Sequence, residues 1–137
     1  MQDRRTFLGL AAASLLTIDL DAQAQTAARG PVELARHALS GPLDGFEVVL
    51  LQLTPQAASG TPNPGHRHPG PVLGYIAEGE MLFGINHQPP QVLPTGRTFF
   101  EPTGTLHTAL ASAKADAPAR ALVFMVVPKG APLTSPA

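Results

Sequence analysis

The residues with the most chemistry in them are His66 and His68, two imidazoles separated by Arg67. In an extended chain, positions i and i+2 point to the same face, so both rings can share one metal ion while the arginine faces away from it. Such a pair needs a third ligand. Of the other histidines, His37 lies near the first strand and His87 in the loop Asn86-His87-Gln88-Pro89-Pro90, and both read as surface residues. His107 closes a different pattern, a strand, a Pro-x-Gly turn and a return strand running from Gly96. Cysteine is absent, which excludes thiolate ligands, disulfides and a cysteine nucleophile; a metal here must use histidine, carboxylate and water.

The elements that must position these residues are short strands. Thirteen Gly and fifteen Pro in a chain otherwise rich in Val and Leu favour tight turns over helices. Phe46 to Leu53 is a Val- and Leu-rich run between turn residues, with the look of a strand buried on both faces. Further strands are predicted at Leu73 to Ile76, Glu80 to Ile85, Gln91 to Leu93, Thr98 to Glu101, Thr105 to Leu110 and Arg120 to Val127. Val32 to Ser40 fits either a first strand or a short helix. Seven to nine strands at such spacing imply an all-β sandwich or barrel. Met81, Phe83, Phe99, Phe100, Phe124 and Met125 are its expected core, some of them lining the mouth of an apolar pocket.

The chain is 137 residues long, enough for one domain. A net charge of −1 with 14% charged residues leaves no basic footprint for nucleic acid or anionic lipid, so the expected partner is a small molecule or a second copy. Residues 1–24 read as an export signal peptide: Arg4 and Arg5, an apolar run from Phe7 to Ile18, then Ala22-Gln23-Ala24, with cleavage expected before Gln25. The apolar run is too short to span a bilayer of about 30 Å, so no stable membrane anchor is expected. Arg4-Arg5-Thr6-Phe7-Leu8 resembles the twin-arginine signal, whose substrates cross already folded, and implies a periplasmic or secreted protein. The domain is expected over residues 31–128, and 129–137 as a flexible tail.

Gly60, His66, His68 and Gly79, then Gly96, Pro102, Gly104 and His107, stand in the order and spacing of two motifs, G-x5-H-x-H-x3,4-E-x6-G and G-x5-P-x-G-x2-H-x3-N. Through them the chain resembles the small single-domain cupins over about Val32 to Val127. The resemblance implies a cupin double-stranded β-helix, or jelly-roll barrel, with His66, His68 and His107 converging inside as metal ligands. It also implies a homodimer formed through outer strands, for which the apolar run Leu122 to Val127 is the candidate contact.

Two positions depart from the motifs: Val72 stands where the pattern has glutamate, and Ala111 where it has asparagine. Without the glutamate, three neutral imidazoles leave a divalent ion its full charge, a stronger Lewis acid and a better host for an anionic chelating ligand. Three-histidine cupin sites resemble those of thiol dioxygenases and a diketone-cleaving dioxygenase. That likeness implies a divalent transition metal, iron first and Mn, Ni, Zn or Cu after it, and non-haem dioxygenase chemistry; the alternative is a cupin that binds or senses a small ligand without turnover. Two residues qualify to handle a proton beside the metal, Glu101 and Tyr75. Glu101 precedes Pro102, where the cupin pattern is usually apolar and inward, so it either points into the barrel as a replacement carboxylate or stands in solvent at a strand end. Metal binding through histidines should weaken as pH falls through about 6 to 7.

Overall fold

The structure is a computed structural model that describes residues 30–57 and 64–137. The segment 1–24 expected as an export signal and the first motif glycine, Gly60, lie outside the described residues. The strands are β1 Val32–Ala38, β2 Phe46–Leu53, β3 His66–Arg67, β4 Val72–Glu78, β5 Glu80–Ile85, β6 Gln91–Pro94, β7 Thr98–Glu101, β8 His107–Ser112, β9 Arg120–Pro128 and β10 Ser135–Pro136. The first segment, ambiguous in sequence, is a strand, because its apolar and polar residues pair along β2 from Val32 opposite Gln52 to Ala38 opposite Glu47. Among the described residues no helix is long and apolar enough to cross a membrane.

Two five-stranded sheets, ordered β1-β2-β9-β4-β7 and β10-β3-β8-β5-β6, face each other as a jelly roll. The pleat sends Val49 and Leu51 of β2, Val72 and Ile76 of β4, and Ala121, Val123, Met125 and Val127 of β9 inward, where they meet Met81 and Phe83 of β5. Each of the larger side chains in this set contributes about 1.5–3 kcal/mol on burial, so the inward stripe fixes the register of these four strands. The turn that joins β4 to β5 needs glycine: Gly79 sits at φ 72, and a Cβ there would stand 2.3 Å from the carbonyl oxygen of Pro118.

Three expectations require correction. The run Phe46 to Leu53 alternates buried with half-exposed residues rather than being buried on both faces; it reads as continuously apolar because the outer face of its sheet is apolar too. For the same reason Phe100 and Phe124, expected in the core, are 56% and 42% exposed. They join Leu73 and Leu50 in a cross-strand row on that outer face, Phe100 beside Leu73, Leu73 beside Phe124 and Phe124 beside Leu50. Finally, the chain end does not trail away. Lys129 N donates to Gly45 O at 2.9 Å, and the segment then crosses to the other sheet, where Ser135 and Pro136 pair with Arg67 and His66.

Candidate metal centre

His66 opens β3 directly opposite His107, the first residue of β8. Across β8 the ladder slips: Ala109 pairs with Gly84 but His107 with Ile85, so Thr108 is skipped and the bulge re-aims the histidine that precedes it. His68 follows β3 and is held from both sides. Its carbonyl accepts from Gly104 N at 3.1 Å, within the Pro-x-Gly turn, and Arg67 Nη1 donates to Gly104 O at 2.6 Å. Gly104 takes φ 73, the left-handed turn that brings this loop back over the histidines. Arg67 therefore faces out, as strand alternation predicts, and clamps the turn rather than the site.

The three rings meet at the inner end of the barrel. His66 Nε2 and His68 Nε2 are 3.1 Å apart, and one ring nitrogen from each of the three residues lies within 4.8 Å of the other two. Two nitrogens each about 2.1 Å from one ion stand roughly 3.0–3.4 Å apart, so the His66–His68 pair already fits, and ring rotation would draw in the wider set. Hydrogen bonds set the tautomers. His68 Nδ1 donates to Leu133 O at 2.8 Å and His107 Nε2 donates to Ala109 O at 3.0 Å, which leaves lone pairs on His68 Nε2 and His107 Nδ1. His107 Nδ1 is fully buried and has no hydrogen-bond partner. An orphaned imidazole nitrogen beside two others is what a missing cation would leave. The donor set fits a divalent transition metal on neutral imidazoles.

Glu101, left open by the sequence, points inward and is 1% exposed. Its Oε1 is 3.5 Å from His107 Nδ1 and its Oε2 is 3.9 Å from His68 Nε2; Oε2 is a second buried atom without a hydrogen-bond partner. Burial pushes the Glu101 carboxyl up to about 7. It pushes His107 down to about 4, with the neighbouring His66 and His68 acting in the same direction. Burial also lowers His66, aided by His68, and lowers His68 against the opposing hydrogen bond to Leu133. All three histidines thus stay neutral and ligand-competent to lower pH than ordinary imidazoles do, and His107 down to about 4.

The other sequence candidates fall elsewhere. Tyr75 is on the outward face of β4, 43% exposed, and does not line the cavity. His37 and His87 are exposed, and Glu78 and Glu80 pair with Arg120 and Lys114 at 3.2 and 3.1 Å. What the sequence concealed is the contribution of the chain end, where Leu133 and Thr134 wall the site. A two-residue strand after Gly130 carries no periodic pattern by which it could be found. The cavity measures about 280 Å³; besides the histidines and Glu101 it is lined largely by apolar side chains such as Leu51, Val72, Phe99, Val123 and Met125, and among the described residues none that line it is Lys or Arg.

No curated protein matches the sequence. Among solved structures, the chain is similar to one from the crystal structures of the DMSP lyases RdDddP and RnDddQII, with 21% identity over 78% of this chain and 51% of that one and a TM-score of 0.53. It is similar to the DMSP lyase DddQ from Ruegeria pomeroyi DSS-3, with 24% identity over 74% of this chain and 50% of that one and a TM-score of 0.49. An uncharacterized conserved protein with a double-stranded β-helix domain from Klebsiella pneumoniae shares 20% identity over 79% of this chain and 84% of its own, with a TM-score of 0.52. The chain thus spans about half the length of the lyase chains, and at these identities the likeness is one of fold. Residues 51–127 match the model of the cupin domain, and with its two antiparallel sheets and motif histidines the chain belongs to that family.

Proposed function

We propose that the protein is an exported, metal-dependent cupin enzyme that acts on a small, largely apolar molecule, with His66, His68 and His107 holding the metal and Glu101 handling a proton beside it. The observation that carries this reading is the pair of orphaned, buried atoms, His107 Nδ1 and Glu101 Oε2, on the wall of a cavity large enough for a small ring or short branched chain. The metal would supply Lewis acidity to a bound donor group. The chain supplies the rest. Leu51, Phe99, Val123 and Met125 exclude water and take up the apolar body of the ligand. With no cationic residue on the wall, any negative charge on the ligand belongs at the metal end. Glu101, poised near neutral pH, can take or give a proton at Oε2.

The reaction class we infer from the three-histidine ligand set is non-haem dioxygenation, with iron as the metal. A second reading, proton abstraction without oxygen, is favoured by the near-neutral carboxyl of Glu101. One experiment separates them: protein loaded with Fe²⁺ is incubated with a panel of thiols, diketones and phenols, with and without oxygen. Turnover coupled to oxygen uptake supports the dioxygenase, turnover that persists anaerobically supports proton abstraction, and saturable binding without turnover in either condition leaves a ligand-binding cupin. We also propose cleavage before Gln25 on export, which mass determination of the periplasmic form checks, and a homodimer, taken up below.

A further inference from the structure

Residues 131–137 are held against the site at both of their ends. Their root is fixed to the first sheet: Gly130 N donates to Glu47 Oε1 at 3.3 Å, and the buried Glu47 carboxylate is itself paired with Arg36. Their tip is fixed to the second sheet, Ser135 opposite Arg67 and Pro136 opposite His66. Between the two anchors the Leu133 carbonyl accepts from His68 Nδ1 at 2.8 Å, and Leu133 and Thr134 face the cavity. The segment spans from one sheet to the other across the wall that holds the histidines.

We propose that residues 131–137 form a strap that completes the metal centre, with the Leu133 carbonyl as the positioning group that keeps the proton of His68 on Nδ1 and its Nε2 lone pair turned toward His66 and His107. The inference rests on the metal reading above. Histidine ligands depend on the acceptor of their second nitrogen for orientation and basicity, and loss of that acceptor typically lowers metal affinity about 10–100-fold. Here the acceptor lies in backbone held between these two anchors, so docking and metal binding are linked, and each must strengthen the other by the same factor.

The test uses the full chain, with Zn²⁺ as the probe, and compares it with the same chain ending at Gly130. The full chain is first shown to bind close to one Zn²⁺; if it binds none, the metal reading fails. Given binding, the strap predicts a Zn²⁺ affinity about 10–100-fold weaker for the shortened chain by chelator competition. Imidazole ¹⁵N spectra of the metal-free protein should show His68 protonated at Nδ1 in the full chain and losing that preference in the shortened one, a change that loss of packing alone would not produce. Equal affinity in the shortened chain, or an unchanged His68 tautomer in it, would overturn the proposal. If the shortened chain does not fold, hydrogen exchange of the full chain decides: Zn²⁺ should slow exchange at residues 133–135 by about tenfold or more, and exchange indifferent to Zn²⁺ would overturn it.

Discussion

Glu101 stands directly opposite Val72 across the β4–β7 ladder, and both side chains point into the barrel. The carboxylate that the motif places at position 72 has an equivalent one strand away, at nearly the same depth. Val72 lines the cavity at 1% exposure, so the departure from the motif moves the acid across the sheet and leaves an apolar wall in its place. A carboxylate at 72 would face Glu101 at cross-strand distance, where like charges oppose each other.

This relationship predicts the outcome of exchanging the two residues. Val72→Glu alone should tighten Zn²⁺ binding by adding an anionic ligand, yet lower the stability of the metal-free protein by about 1–3 kcal/mol, because two buried carboxyl groups then share one site. Adding Glu101→Val should recover most of that stability and keep the tight binding. Chelator competition and urea unfolding measure the two effects. Unchanged affinity in Val72→Glu would mean that a side chain at position 72 does not reach the histidines.

Much of this was legible before the structure. Most strand positions, the turn glycines and the three histidines follow from apolar runs, turn residues and motif spacing, which are local properties of the chain; the order of strands within the sheets is not. Glu101 could be placed in a strand but not on a face, because four residues between Arg97 and Pro102 fit either phase of the pleat. The outward side of β9 was misjudged since Phe124 is apolar wherever it points. The contact from Leu133 to His68 joins residues 65 apart through a backbone carbonyl, which every residue possesses and no sequence can mark.

Metal binding should release a proton. At pH 6 the Glu101 carboxyl, held near 7 by burial, is mostly protonated, whereas a divalent ion a few ångströms away favours the carboxylate. His107, held at about 4, is already neutral at that pH, and the lowering of His66 and His68 by burial reduces their share of the release. Calorimetric titration with Zn²⁺ in buffers of different ionisation enthalpy should therefore report close to one proton released per ion at pH 6 and close to none at pH 8. Glu101→Gln should abolish the release; undiminished release in that variant would assign the proton to a histidine.

The same carboxyl sets a pH dependence on the metal-free fold. A group whose folded value is raised from 4.5 to about 7 stabilises the protein fully below 4.5, and that contribution is lost as pH rises through 7. The histidines, with lowered values, act oppositely and lose their contribution as pH falls below about 6.5, most strongly for His107. Comparing Glu101→Gln with the unaltered protein cancels the histidine part. The stability of the variant relative to the parent should rise by about 1.4 kcal/mol per pH unit between roughly pH 4.5 and 7, then level off. Urea unfolding across that range checks it, and a constant difference would mean that Glu101 titrates normally.

Tyr75 provides the contrast. Its outward position on β4 separates it from the cavity, so Tyr75→Phe should leave Zn²⁺ affinity and any turnover within about twofold of the unaltered protein, where Glu101→Gln loses turnover. A loss of turnover in Tyr75→Phe with the metal still bound would require the outer face to take part in the reaction.

That outer face is the surface we propose for the homodimer. β9 lies in the middle of its sheet with β2 and β4 on either side, so Leu122 to Val127 cannot pair edge to edge; only the outward half of the run, including Phe124, is available. With Phe100, Leu73 and Leu50 it forms an apolar row across four adjacent strands. Five strands about 4.8 Å apart and some 25 Å long present roughly 600 Å² of projected face, of the same order as the about 800 Å² per partner of a standard interface. Leu73→Asp, at the centre of the row, should shift the protein from dimer to monomer in light scattering at micromolar concentration while leaving Zn²⁺ stoichiometry at one per chain, because the substitution points away from the histidines. A parent protein that is monomeric at high concentration, or a Leu73→Asp variant that remains dimeric, would remove this face from consideration.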